Sequence, residues 1–388
     1  MKPSPHSRLH ALGRSAAWKW LHRSIKQSLR YGKTIPTDTL AYRVLAGVGE
    51  VPGMPALERA LYRLLLDYPK KIDLFINTEC QLRCRYCFVE RHPAGKRLDE
   101  PMLHDLIEQA ARLQVHVVQL LGGEPTLHPR LLDFVEAIVR RGMIAVVFSN
   151  GVALDENLLK RLSGFGEDVA VFYNYDHPAV FKAITGADCH AKVMQSIHTA
   201  KALGVHFGLF ITLTKLNTPY LEALVEQALT LGVIPTMERY LPQLEHPDLA
   251  AELAIDAPTW KEARALMAKV CAKHHRLPAA KAAATFTGSG CPDYHDNLSI
   301  LHSGEVLPCP FTSRSESLAS IFEHSLAEVW DLFRARRATY HAIPAECSAC
   351  TSLERCGGGC KTATFLTYGR YDRRDPLCTG EEDIPFKW

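Results

Sequence analysis

The chain has 388 residues, 47% of them hydrophobic and 22% charged, with a net charge of +3 when histidines are neutral. That length is long for one domain and short for three, so a large catalytic domain plus a smaller module is expected, and the charge balance gives no argument for nucleic acid as a partner. No run approaches the roughly 18 consecutive apolar residues of a membrane span, and the basic start lacks a signal-peptide apolar core, so the protein reads as soluble, unexported and cytoplasmic.

Twelve cysteines are present. Without an oxidising compartment, thiolate metal ligation is a better reading than disulfides. Their positions agree: three sit at 80, 84 and 87, two are isolated (Cys189 and Cys271), and seven crowd into residues 291 to 378. Scattered core thiols would not bunch in this way.

Residues 1 to 37 carry eight Lys or Arg and no Asp or Glu, with Trp18, Leu21, Ile25 and Leu29 on one helical face and Lys19, Arg23, Lys26 and Arg30 on another. A solvated helix packed by its apolar stripe explains this, as does a surface for an acidic substrate or a membrane, or a transit peptide. A second helix is expected in MPALERALYRLLLDYPKK, with Pro55 in its first turn and Pro69 ending it. From Ile72 short apolar runs (IDLFIN, VHVVQLL, IAVVFSN, DVAVFYN, VHFGLFITL, VIPTMERY) alternate with stretches of helical period such as LHDLIEQAARL, RLLDFVEAIVRR, VMQSIHTAKALG and YLEALVEQALTLG. Six alternations predict an α/β fold with a parallel sheet curved into a partial (β/α)6 barrel. Chemistry in such folds lies at the C-terminal strand ends. Residues 241 to 287 read as a helical connector containing LPAAKAAAT, and the segment beyond it as too irregular for a conventional apolar core, so that metal sites would hold it together.

Cys80, Cys84 and Cys87 follow the first barrel strand in the spacing C-x3-C-x2-C. Three thiolates on an iron-sulfur cube leave one iron open to an outside ligand; a zinc site completed by a His such as His92, or three free cysteines, are the plainer alternatives. After the second strand, GGEP lets backbone without side chains approach a ligand and presents Glu124, and after the third, SNG offers Ser149 and Asn150. GGEP alone is weak; the three motifs in order on consecutive strands are a strong signal.

On these residues, 72 to about 240 resemble the radical S-adenosylmethionine (SAM) superfamily. The resemblance implies that Cys80, Cys84 and Cys87 hold a [4Fe-4S] cluster whose open iron is chelated by the methionine moiety of SAM. It further implies that Tyr86 lies against the adenine, that Gly122, Gly123, Glu124 and Pro125 hold the methionine amine, and that Ser149 and Asn150 face the ribose. One electron into the sulfonium would then yield a 5′-deoxyadenosyl radical that abstracts a substrate hydrogen, and a reductant such as flavodoxin or ferredoxin would supply the electron.

The later cysteines read Cys291-x12-Gly304-x4-Cys309, then Cys347-x2-Cys350-x5-Cys356-x3-Cys360, and finally Cys378. Seven thiolates exceed one tetrahedral metal, which leaves two zinc ribbons or two iron-sulfur clusters. The spacing is similar to the SPASM extension of radical SAM enzymes, with two auxiliary [4Fe-4S] clusters, making three in all. The resemblance gives Cys347, Cys350, Cys356 and Cys378 to an outer cluster and Cys291, Cys309 and Cys360 to one nearer the barrel. Where many relatives place a further cysteine close before Cys291, this chain has only Cys271, inside a helical pattern where a packed thiol is expected; an open iron, Asp293 or His295 are the alternatives. Sulfatase maturases carry an aspartate base where this chain has Pro310, which argues against that role. The expected organisation is a basic helical extension (1–70), the barrel (71–240), the connector (241–287) and a small irregular iron-sulfur domain (288–388).

Tyr175, Asp176, His177, Thr212, Thr214, Glu238 and Arg239 stand at strand ends as candidate substrate contacts; each is equally a satisfied structural group. Cys189 reads as a helix start and His274 and His275 as a solvated helix end. Members of the SPASM subgroup mostly modify ribosomally made peptides, so oxidative peptide maturation by decarboxylation, crosslinking or dehydrogenation leads. No strand-containing leader-binding module is legible in residues 1 to 70, so a separate leader-peptide-binding protein or a small substrate follows. Modification of a small molecule or tetrapyrrole is the alternative, and a non-catalytic iron-sulfur electron carrier is a third reading that GGEP and SNG oppose.

Overall fold

The computed structural model describes residues 69–89, 95–113, 115–242, 247–274, 294 and 297–380. The expected N-terminal helices, His92, His275, the alanine-rich part of the connector, Cys291, Asp293 and His295 lie outside the described residues.

Six parallel strands carry the barrel: β1 (Lys71–Phe75), β2 (Val117–Leu121), β3 (Ile144–Ser149), β4 (Val169–Asn174), β5 (His206–Leu213) and β6 (Thr236–Arg239). Each pairs with its sequence neighbour, as short right-handed crossovers require. Alternation with period two sends Val118, Leu120, Val171, Leu209 and Ile211 to the helices and Gln119, Phe148, Phe172, Phe210 and Thr212 to the lumen. The helices are amphipathic for the same reason. In α1 (Glu100–Arg112), Leu103, Leu106, Ile107 and Ala110 are buried at spacings of three and four, and α2 (Leu131–Arg140) repeats this with Leu131, Phe134, Val135 and Ile138. Two short helices absent from the expected stretches, α3 (Glu156–Ser163) and α4 (Pro178–Thr185), precede α5 (His190–Ala202) and α6 (Leu221–Leu231). The connector supplies α7 (Pro247–Leu253) and α8 (Ala257–Lys273), the latter packed on α6 with Cys271 buried in the core, as its helical pattern predicts.

The C-terminal segment departs from expectation. β7 (Asn297–Ile300) pairs parallel with the free edge of β1, and β8 (Glu305–Leu307) and β9 (Ala319–Ser320) continue the sheet antiparallel, so that among the described residues nine strands run in one sheet. The join is polar and buried: Asp73 Oδ2 accepts hydrogen bonds from Asn297 Nδ2 at 2.9 Å and Ser299 Oγ at 3.0 Å. Nor does the segment lack an apolar core. Trp330, Phe333 and Tyr340 of α9 (Leu326–Tyr340) are buried together with Tyr294 and Tyr371, with ring centroids of Tyr340 5.1 Å from both tyrosines. Leu326, Val329, Trp330, Phe333 and Tyr340 recur at helical spacing, whereas Tyr294 and Tyr371 join them only in space. Two short helices, α10 (Leu353–Cys356) and α11 (Lys361–Tyr368), carry the last cysteines.

Candidate active site

The C-terminal ends of the strands surround a cavity of about 280 Å³. Cys80, Cys84 and Cys87 border it from the loop after β1, joined by Tyr86, Gly122, Gly123, Glu124 and Asn150. The cysteine loop is moored by backbone hydrogen bonds from Arg83 to Thr185 O (2.8 Å) and Arg85 to Ile184 O (2.8 Å), and Asn150 Nδ2 points at Cys80 Sγ at 3.6 Å. Tyr86 borders the cavity with its hydroxyl bonded to the Thr212 side chain, and burial pushes its pKa well above that of a free phenol.

The glycines work by closeness. Gly123 N–H donates to Asn77 O at 2.8 Å and Glu124 N–H to Glu79 O at 2.6 Å, so the second loop lies on the backbone of the first. A Cβ on Gly122 would fall 2.2 Å from Asn77 Oδ1, and one on Gly123 would fall 2.3 Å from Glu79 O. Asn77 Nδ2 in turn donates to Glu124 O at 2.9 Å. Asn77 was not singled out by sequence; its place at the strand end just before the cysteines was the available signal.

Glu124 is buried, which pushes its carboxyl up, while donors oppose that shift. Oε1 accepts from Thr126 Oγ1 at 2.6 Å, Thr126 N–H at 3.2 Å and Ser149 Oγ at 2.7 Å; Oε2 accepts from Asn150 N–H at 2.7 Å. Ser149 therefore spends its hydroxyl on Glu124 and is not among the residues bordering the cavity, contrary to its expected place at the ribose. Buried Pro125 opens a 3-10 turn that seats Thr126 against the carboxylate.

The substrate candidates separate. Glu238 and Thr212 border the cavity. Arg239 borders it too, but its guanidinium is committed to Asp375 of the C-terminal segment. Tyr175 is buried, donates its hydroxyl to Gln227 and lies off the cavity lining, as does buried Asp176, whose Oδ1 and Oδ2 accept from His177 N–H (2.8 Å) and Asn217 Nδ2 (3.1 Å). These two are corrected from substrate contacts to internal supports: Tyr175 continues the alternation of β4, in which Val171 and Tyr173 face the core and Phe172 and Asn174 the cavity, and Asp176 is claimed by hydrogen bonds in the loop beyond. His177 caps α4 through Nδ1 and stacks on Tyr220, Thr214 bonds Asn217, Cys189 stands at the start of α5, and His274 meets Glu226 at a helix end.

Pro310 and Phe311 also border the cavity, with Phe311 4.5 Å from the Phe88 ring. The C-terminal segment thus closes one wall of the barrel mouth. Farther away, Cys347, Cys350, Cys356 and Cys378 border a second, smaller hollow together. Among the described residues no three Cys, His, Asp or Glu side chains close around the position of a single ion. The thiols border spaces, the arrangement that a cluster with one iron per thiolate requires. In the barrel cavity, three thiols, a buried carboxylate, small polar groups and an aromatic wall of Tyr86, Phe148, Phe172 and Phe210 fit a cluster together with a zwitterionic nucleoside.

Partial barrel and thiol-lined cavity define an iron-sulfur enzyme built on βα units. Residues 74–228 match the family model described as the radical SAM superfamily, and residues 291–351 match that described as the SPASM iron-sulfur cluster-binding domain. The chain is a radical SAM superfamily enzyme with a SPASM-type C-terminal segment, and SAM and [4Fe-4S] clusters are its cofactors. It is 27% identical to a PqqA peptide cyclase from Granulibacter bethesdensis over 81% of this chain and 88% of the relative. It is 24% identical to the mycofactocin maturase MftC of Mycolicibacterium smegmatis over 81% and 83%. In fold it resembles the crystal structure of Streptococcus suis SuiB bound to S-adenosylmethionine, with a TM-score of 0.66 at 15% identity, covering 83% of this chain and 80% of that one. Among the described residues no helix is long and apolar enough to cross a membrane.

Proposed function

We propose that this enzyme oxidatively matures a ribosomally made peptide in the cytoplasm. The observation that carries the reading is the extent of likeness to the peptide cyclase, which takes in barrel and cysteine-rich segment together rather than the barrel alone. When bound, the barrel cluster and SAM supply a 5′-deoxyadenosyl radical that takes hydrogen from the substrate. The chain's own groups do the rest. Cys80, Cys84 and Cys87 hold the cluster; Glu124 Oε2, which carries one of the four described bonds against three on Oε1, meets the SAM amine; Gly122 and Gly123 keep that loop flush with Asn77; Asn150 and Tyr86 orient the nucleoside. Phe88, Pro310 and Phe311 exclude water from the cavity mouth. The hollow shared by Cys347, Cys350, Cys356 and Cys378 supports an outer auxiliary cluster, and Cys309, Cys360 and Cys291 are assigned to an inner one. A protein such as flavodoxin or ferredoxin supplies the electron, and a separate protein presents the leader.

The test is anaerobic turnover of reconstituted protein with SAM and a strong reductant, counting 5′-deoxyadenosine as peptide and small-molecule fractions of a host extract are added separately. A burst with the peptide fraction alone is expected. A burst with the small-molecule fraction alone would replace peptide maturation by metabolite or tetrapyrrole chemistry. Iron near twelve per chain is expected for three cubane clusters, about four irons each.

A further inference from the structure

Arg239 ends β6, and its side chain is 8% exposed. Its Nη1 and Nη2 donate to Asp375 Oδ1 at 2.9 Å and Oδ2 at 2.7 Å, a bidentate pair across 136 residues. Asp375, 10% exposed at its side chain, spends its remaining capacity on the cysteine-rich backbone: Oδ2 accepts from Cys360 N–H at 2.7 Å and Oδ1 from Leu377 N–H at 2.8 Å. Gly359 has φ +85°, and a Cβ there would lie 2.3 Å from Asp375 Cβ, so the chain is pressed against the carboxylate. The guanidinium also bonds to the Cys360 side chain and lies 5.9 Å from the Trp260 ring centroid. Cys360 Sγ accepts a further hydrogen bond from Ala363 N–H at 3.4 Å.

A buried ion pair is costly to desolvate, and apolar packing would join β6 to the last loop at least as firmly. What the pair adds is two opposite charges beside one thiol. We propose that Arg239 and Asp375 are positioning residues for the auxiliary cluster that Cys360 ligates, Asp375 fixing the Cys360 backbone and the Arg239 charge and hydrogen bond setting that cluster's reduction potential. This rests on the reading that Cys360 is a cluster ligand. Hydrogen bonds to ligating sulfur and local net charge are the protein's main means of setting such potentials. Removing Arg239 leaves a bare carboxylate beside the thiolate and lowers the potential. Neutralising Asp375 leaves an uncompensated guanidinium and raises it.

The experiment uses the full chain with Cys80, Cys84 and Cys87 replaced by Ala, so that only auxiliary clusters remain, and reads iron content first and then the midpoint by redox titration followed by electron paramagnetic resonance. R239Q is expected to lower one auxiliary midpoint and D375N to raise the same one. Each shift is expected to change the reduced-to-oxidised ratio about tenfold at fixed potential, about 59 mV for one electron, with the other signal unmoved. Shifts of the same sign, or none, overturn the proposal, because a purely structural bolt would loosen alike from either side. Should R239Q fail to hold iron, the sign of the D375N shift decides alone, and a fall overturns it. Absence of iron from the triple-Ala parent would instead remove the cluster reading itself, a failure seen before any potential is measured.

Discussion

Ser149 donates its hydroxyl to Glu124 Oε1 at 2.7 Å, tying the end of β3 to the loop after β2. With Thr126 and the Asn150 backbone, it surrounds a buried carboxylate by donors. Glu124→Gln must turn an amide N–H₂ toward at least one of them. A buried donor left facing a donor costs about 1 to 3 kcal/mol. Glu124→Gln is therefore expected to lower the melting temperature and weaken SAM binding at least tenfold, measured by equilibrium dialysis. Ser149→Ala, which removes one donor of four, is expected to weaken it less. Equal affinity in wild type and Glu124→Gln would show that the carboxylate is only structural.

Gly123 offers the sharper steric test. Its Cβ would meet Glu79 O at 2.3 Å and Thr78 O at 2.5 Å, both backbone atoms that cannot rotate away. Gly123→Ala is expected to break the Gly123 and Glu124 backbone hydrogen bonds to the first loop and to cost about 1 to 3 kcal/mol. Loss of 5′-deoxyadenosine formation should accompany it. Gly142→Ala, where nothing lies within 4 Å but φ is +78°, is the outside comparison: it is expected to cost stability through the left-handed backbone alone and to leave 5′-deoxyadenosine formation intact.

Asp176 should govern a segment of the pH dependence of stability. Burial raises its carboxyl from 3.8 to about 6, against hydrogen bonds from His177 and Asn217; the phenols of Tyr86 and Tyr175 face it. Between those values the native state holds a proton that the unfolded chain has released. The contribution is thus present below pH 4 and is lost as pH rises through about 6, on the order of 3 kcal/mol in all. Denaturant unfolding of wild type and Asp176→Asn over this window is expected to show stability falling with pH in wild type and a flatter profile in the variant. Parallel profiles would remove Asp176 from the account.

The Asp73 strut predicts how the two halves are joined. Asp73→Ala strands buried donors on Asn297 and Ser299 between β1 and β7. A cost of about 2 to 4 kcal/mol is expected, with faster hydrogen exchange concentrated at Asn297–Ile300 rather than at β3 and β4. Uniform exchange across the sheet would mean that β7 does not depend on this contact.

Local chemistry made much of this legible. All six barrel strands, the four helices with an apolar stripe and the cysteine groups follow from side-chain period and from thiol spacing, because both are short-range properties written in consecutive residues. The position of Cys80, Cys84, Cys87 and Glu124 around one cavity was foreseeable for the same reason: a parallel βα sheet sends every strand's end to one face. Other features depend on partners far apart in the chain. β7 is only four residues long, and its place in the sheet is set by the open edge of β1, by β8 and by the Asp73 strut. Arg239 looks like a cavity residue from its strand and does border the cavity; only folding brings Asp375 to it and engages its guanidinium there. Tyr175 faces the core by the same alternation as Val171 and Tyr173, while Asp176 is withdrawn by its hydrogen bonds to His177 and Asn217. The sequence alone therefore determined the barrel, the face at which its strands end and the grouping of its thiols, whereas the tertiary structure decided which polar side chains reach the cavity, since a hydrogen bond's partner is set by distance in space and not by separation along the chain.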